Sequence, residues 1–263
     1  MKKFLIIANW KLHGNFNFIK KNINIMKEKI SNSLYFCKVA IAPPYVYINY
    51  IFNYIKNTSI DLVAQNVDIH KTGSFTGEIS IDMLKDVGVK YVIIGHSERR
   101  INHYENNNFI AKKFVLTKKN GLIPILCLGE TKEEKNENKT EKIFINQINA
   151  ILKICDVKIF YNTIIAYEPI WAIGSGKIAD IFEIQKTINF IKKYISSINQ
   201  KISDNIIFQY GGSIDKNNIH NLFKIKNING LLVGKASLTI ENFIFLVKKA
   251  EKEINLLRSQ HRK

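Results

Sequence analysis

Several side chains in this sequence could move a proton or hold an anion, and they fall in short polar turns. Lys11 lies in "NWKLHG" (9–14), His96 and Glu98 in "GHSER" (95–99), and Glu168 in "YEPIWAIGSGK" (167–177). Two glycine-bearing turns, "GGS" (211–213) and "GK" (234–235), complete the set. A carboxylate can serve as a general base and an imidazole can donate to an oxygen. An ammonium can stabilise negative charge as it develops, and glycine turns can present backbone N–H groups to a phosphate. Taken singly, a histidine or glutamate in such a turn is a capped or solvated side chain. Their recurrence after one apolar run after another is what indicates catalysis.

The tetrapeptide Gly-Ser-Gly-Lys (174–177) suggests a nucleotide-binding loop, but the spacing fails. A P-loop needs glycine where Trp171 stands and a hydroxyl residue where Ile178 stands. His13, His70, His103, His220 and His261 have no metal-ligand spacing, and neither HExxH nor a 2-His-1-carboxylate pattern occurs. Neither a metal nor an organic cofactor is expected. Cys127, inside an apolar run, reads as a small core residue.

The elements that must position these groups alternate. Runs rich in branched residues occur at 4–9, 38–43, 60–65, 91–95, 122–128, 163–168, 206–210 and 230–234. They lack polar alternation, as parallel strands covered on both faces do. Stretches such as "FNFIKKNINIMKEKI" and "IFEIQKTINFIKKYI" lie between them, with apolar residues three and four apart. The polar "ETKEEKNENKT" reads as a solvated loop or a helix start.

Eight strand–helix units predict a single-domain α/β fold over 1–263, a (β/α)8 barrel, whose active site lies at the C-terminal ends of the strands. A doubly wound sheet is the rival, but "ANWKLHG" is no glycine fingerprint. No linker or break in composition divides the chain. The long Gly/Ser/Thr connection "HKTGSFTGE" (70–78) is a functional candidate.

The formal charge of +17 and the pI near 9.6 suggest an anionic partner. Arginine is scarce, however, and no finger, RNP or basic-zipper pattern is present, so no nucleic-acid partner is expected. The excess of lysine can still attract a small anion. Three cysteines without CxxC spacing indicate free thiols in a reducing cytoplasm. The opening apolar run breaks at Asn9 and Lys11, too early for a signal peptide, and no membrane span is expected.

Seven segments in order, "NWKLHG", "GSFTGEIS", "VIIGHSERR", "CLGET", "AYEPIWAIGSGK", "YGGSI" and "LLVGKASL", are similar to the triosephosphate isomerase family along the whole chain. That family is itself a standard illustration of paired acid–base tuning. The resemblance implies that Glu168 moves a proton between adjacent carbons of a triose phosphate and that His96 is a neutral electrophile. A helix starting at "SERR" would disfavour imidazolium. Lys11 would stabilise the enediolate and Asn9 would position it, with Glu98 as the ion-pair partner of Lys11.

By the same resemblance, amides of Gly174, Ser213, Gly234 and Lys235 grip the phosphate, and Thr76 reaches the site of a second copy in a homodimer. Segment 168–178 would be a lid with Pro169 and Trp171 at its leading hinge and Ile173 as its apolar cover. The chain departs from the family pattern at Lys235, usually a second glycine. The expectation is that the amide contact persists and the side chain turns outward. Two rivals stand beside this reading. A Schiff-base aldolase would need a strand lysine that "TIIAY" lacks, and a non-enzymatic basic binder would rest on charge alone.

Overall fold

The computed structural model describes residues 3–30, 33–173 and 179–260. Eight parallel strands close on themselves in chain order: β1 (Phe4–Asn9), β2 (Cys37–Ala42), β3 (Asp61–Ala64), β4 (Val89–Ile94), β5 (Ile123–Leu128), β6 (Ile164–Tyr167), β7 (Ile207–Gly212) and β8 (Gly230–Val233). Each falls on a predicted run and its bounds move by at most two residues. Pro43 drops out of β2, having no N–H to donate. Gln65, Gly95, Glu168 and Gly234 lie just past their strands, in the turns that form one mouth of the barrel.

Alternation along the strands divides the core in two. Leu5 and Ile7 of β1 point into the barrel with Ala40, Val63, Ile93, Ile125, Ala166 and Leu232, whereas Phe4, Ile6 and Ala8 join the larger layer between strands and helices. Small residues at 40, 42 and 166 leave room for the larger ones opposite. The ring closes where β8 meets β1, in the register Leu5↔Gly230 to Ala8↔Val233. Gly230 is required there, because a Cβ would overlap the Leu5 carbonyl oxygen.

The helices follow their apolar spacing. Phe16–Ile30 buries Ile19, Ile23, Met26 and Ile30, a 4-3-4 stripe, while Lys20, Lys21 and Lys29 stay in water. Ile181–Ile198 buries Ile184, Ile188, Ile191 and Ile195, and begins where the Asp180 carboxylate accepts from the N–H groups of Phe182 and Glu183. The polar run after β5 becomes the short helix Lys132–Asn136, started by a capping box between Thr131 and Glu134. Among the described residues no helix is long and apolar enough to cross a membrane.

The N-terminal end of the barrel is tied shut by polar pairs. Glu251, on the helix Ile240–Gln260, accepts from the N–H groups of Tyr35 (2.8 Å), Phe36 (3.0 Å) and Cys37 (2.8 Å). Asp61, at the start of β3, meets Lys38 Nζ at 2.7 Å, Lys90 Nζ at 3.2 Å and the Tyr91 hydroxyl at 3.2 Å.

Candidate active site

The turn after β1 holds Lys11 in a conformation few lysines adopt. Its φ is +50°, in the left-handed region where a side chain costs about 1 kcal/mol or more. Two hydrogen bonds maintain it. The Lys11 N–H donates to Asn9 Oδ1 at 3.1 Å, and Gln65 Nε2 donates to the Lys11 carbonyl at 2.9 Å and to that of Ala42 at 2.8 Å. Lys11 Nζ lies 2.6 Å from Glu98 Oε1.

After β4, His96 is the N-cap of the helix Ser97–Asn102. The Glu98 N–H donates to His96 Nδ1 at 3.2 Å, which requires a lone pair on Nδ1. The Glu98 carboxylate also approaches Nδ1, at 3.7 Å. That is beyond hydrogen-bonding reach, and its other oxygen is engaged by Lys11, so the N–H contact decides the tautomer. The ring is neutral with its proton on Nε2. Arg100 fixes this helix from behind, donating to the Gly95 carbonyl (2.8 Å), Asn107 Oδ1 (2.8 Å) and the Cys127 carbonyl (3.1 Å).

Glu168 follows β6 and is 3% exposed although it faces a cavity. Its contacts are long: Oε2 accepts from the Ser97 N–H at 3.3 Å, and Oε1 lies 3.5 Å from His96 Nε2. Gly211 of β7 passes close behind, so that a Cβ there would stand 3.0 Å from Glu168 Cγ and 3.2 Å from Oε1. The Cys127 thiol reaches the same carboxylate from the barrel interior. Burial first, and the Glu168 charge second, hold that thiol well above its ordinary range.

Asn9, Lys11, His96 and Glu168 therefore share one cavity of about 390 Å³ with Ile173, Ser213, Gly234 and Lys235. No hydrogen bond within the described chain engages the N–H groups of Ser213, Gly234 or Lys235. Lys235 is exposed at the rim, in the single turn Lys235–Ser237. Gly174 and Ile178 lie outside the described residues. Thr76 is exposed in its loop and does not line the cavity of its own chain. Among the described residues no cluster of histidine, cysteine or carboxylate could hold a metal ion.

Some contacts have no signature in the sequence. The Ser97 donor is a backbone N–H, which any residue supplies. Glu130, after β5, accepts from Trp171 Nε1 at 2.9 Å and from the Tyr167 hydroxyl at 3.1 Å. Trp171 is held between that carboxylate and Lys135 Nζ, 3.8 Å from the indole. Ser213 Oγ donates to the Ala172 carbonyl at 2.9 Å, and the Ala179 N–H donates to the Tyr210 hydroxyl at 3.4 Å. Only its place at a strand end marks Glu130 in the sequence, and nothing there distinguishes Tyr210 from a core tyrosine.

A closed parallel barrel with a carboxylate, a neutral imidazole and an ammonium converging at its C-terminal mouth is a (β/α)8-barrel enzyme. Residues 4–250 match the family profile described as triosephosphate isomerase. The triosephosphate isomerase of Blochmanniella floridana is 50% identical over 250 residues, covering 94% of this chain and 95% of its own. That of Buchnera aphidicola subsp. Schizaphis graminum is 49% identical over 248 residues, covering 94% and 98%. That of Histophilus somni (strain 129Pt) is 46% identical over 251 residues, covering 95% and 98%. The chain belongs to the triosephosphate isomerase family and is an enzyme of the isomerase class.

Proposed function

We propose that this enzyme interconverts dihydroxyacetone phosphate and D-glyceraldehyde 3-phosphate through an enediolate, without a cofactor. Glu168 takes the proton from the carbon beside the carbonyl and returns it to the neighbouring carbon. The Nε2–H of His96 donates to the carbonyl oxygen and then serves the adjacent hydroxyl oxygen. Lys11, held by Asn9 and Gln65 and paired with Glu98, stabilises the negative charge on the oxygens. The N–H groups of Ser213, Gly234 and Lys235, unengaged among the described residues, receive the phosphate, whose binding energy helps to organise the site.

The observation that carries this reading is the convergence of Glu168, the protonated Nε2 of His96 and Lys11 on one cavity, with those unengaged N–H groups in the same wall. A carboxylate with long contacts beside a neutral donor is matched to proton transfer. A Schiff-base mechanism is disfavoured, because the β6 segment Ile164–Tyr167 has no lysine and Lys11 is paired as a cation. The test is isomerisation of dihydroxyacetone phosphate in D2O, read by NMR. Deuterium at C2 of the product supports transfer through an exchangeable base. Product free of deuterium, or activity surviving in both Glu168→Ala and His96→Ala, would count against it.

The reading extends to a two-fold homodimer in a reducing cytoplasm, where the free thiols Cys37, Cys127 and Cys155 would persist. Leu12, Phe16, Val46, Phe75, Met83 and Ile101 are exposed apolar side chains from the first half of the chain, and Phe75 adjoins Thr76. Exposed apolar side chains are material for an association surface. A monomeric sedimentation profile with full activity at assay concentration would overturn this part.

A further inference from the structure

The charges around the cavity do not favour a dianion. Glu168 and Asp215 line it, and Glu98 adjoins it through Lys11. Against these three carboxylates stand, among the described residues, two ammonium groups, Lys11 and Lys235. Glu98 lies 2.6 Å from Lys11 Nζ and offsets much of its charge at a distance. Asp215 is pinned by the N–H groups of Asn217 (2.8 Å) and Asn218 (3.0 Å), so its carboxylate stays at the rim. His96 adds no charge, because its Nδ1 accepts from the Glu98 N–H.

Lys235 differs from Lys11. Its side chain is exposed where the cavity opens, and among the described residues its Nζ has neither an ion pair nor a hydrogen bond. A cation without a counter-ion projects its field into solvent, where incoming ligands meet it, over roughly the Debye length of about 8–10 Å. We propose that the Lys235 ammonium is an electrostatic guide at the mouth, favouring capture of phosphodianion substrates over uncharged analogues. This rests on the phosphate-bearing substrate proposed above. The amide of Lys235 would serve the bound phosphate and its side chain the approaching one. The expectation that the side chain turns outward then has a purpose: a rim charge acts on the rate of encounter and on its salt dependence more than on the chemical step.

The test is kcat/KM for glyceraldehyde 3-phosphate in the wild type, Lys235→Arg, Lys235→Gln and Lys235→Glu, from about 10 mM to about 300 mM ionic strength. Uncharged glyceraldehyde is the parallel substrate. At low ionic strength Gln should lower kcat/KM about three- to fivefold and Glu about tenfold, with Arg within about twofold of the wild type. At high ionic strength these gaps should close to about twofold or less. Inhibition by inorganic phosphate should weaken in the same order, and the rates with glyceraldehyde should coincide.

Lys and Gln curves that superimpose at low ionic strength would overturn the proposal. So would a loss that is equal at every ionic strength, or equal for glyceraldehyde, since both indicate a structural defect. If the wild type does not isomerise triose phosphates, the proposed function fails instead. Calorimetric titration of wild type and Lys235→Gln with inorganic phosphate at low and high ionic strength still decides the role of Lys235: equal affinities at low ionic strength, or a weakening of the same size at both, refute it, and a severalfold weakening confined to low ionic strength upholds it.

Discussion

The two ends of the barrel use polar groups in opposite ways. At the N-terminal end they are matched to one another, as where Glu251 takes three backbone N–H groups and Asp61 joins two lysines and a tyrosine. At the C-terminal end short pairs such as Lys11–Glu98 (2.6 Å) stand beside groups whose contacts are long or missing. Glu168 is met at 3.3 and 3.5 Å, the N–H groups of Ser213, Gly234 and Lys235 have no partner in the described chain, and Lys11 keeps a left-handed backbone. Stability resides where polar groups satisfy each other. Reactivity resides where they wait for a ligand, as a barrel that separates the two tasks by face would have it.

The largest expected effect tests the mouth. Glu168→Gln keeps the shape of the side chain but removes the proposed base, and kcat in a coupled assay should fall about 10²–10⁴-fold. Its melting temperature should change little, since only long contacts are lost. A large loss of stability with modest loss of rate would reverse the comparison. Gly230→Ala tests the closing seam at the opposite end. The new Cβ overlaps the Leu5 carbonyl, and a cost of about 3 kcal/mol or more is expected in urea denaturation. The remaining folded enzyme should keep its turnover.

Glu251→Gln is the subtler version at the same end. It leaves an acceptor in place but removes the charge that strengthens three N–H contacts, and should cost about 1–3 kcal/mol without altering kcat. The smallest effect concerns Glu130 at the mouth, whose Oε1 takes both of its hydrogen bonds while Oε2 is buried without a partner among the described residues. Burial raises its carboxyl above the ordinary value of 4.5, while the bonds from Trp171 and Tyr167 oppose the rise. A raised folded-state value means that the native chain holds this proton more firmly than the unfolded one. The associated stability is fully present below the ordinary value and is lost as pH rises through the folded-state value. Glu130→Gln, which does not ionise, should therefore gain on the wild type as pH rises above the ordinary carboxylate value of 4.5, read as a widening gap in thermal melts from acid to neutral pH. A gap that shrinks with rising pH would mean that Glu130 is stabilised as an anion.

The division between the ends also explains what could be read in advance. The strands were legible because both of their faces are buried, which forces unbroken apolar runs such as Phe4–Asn9 and Ile123–Leu128. The helices were legible from stripes such as Ile19, Ile23, Met26 and Ile30. That Lys11, His96 and Glu168 share one cavity could be anticipated because the barrel places strand ends together. Glu251 could not, since its N–H partners are 214 to 216 residues away and no local pattern links them. The left-handed backbone of Lys11 was equally hidden, as it depends on Gln65 from the turn after β3. The Ser97 donor is invisible in principle, because it belongs to the main chain.

The stretch Tyr210–Ser213 meets the surrounding structure at several points. The Tyr210 hydroxyl receives the Ala179 N–H, Gly211 leaves room for Glu168, a Cβ on Gly212 would overlap the Tyr210 ring, and Ser213 binds the Ala172 carbonyl. Three of these four consecutive residues thus answer to Glu168 or to the chain on either side of 174–178, and Gly212 answers to Tyr210 within the stretch. Such a stretch has little freedom to drift by single steps. A change at one position disturbs a neighbour with a different duty, so variation here should come in compensated sets, whereas the exposed lysines on the outer helices can change one at a time.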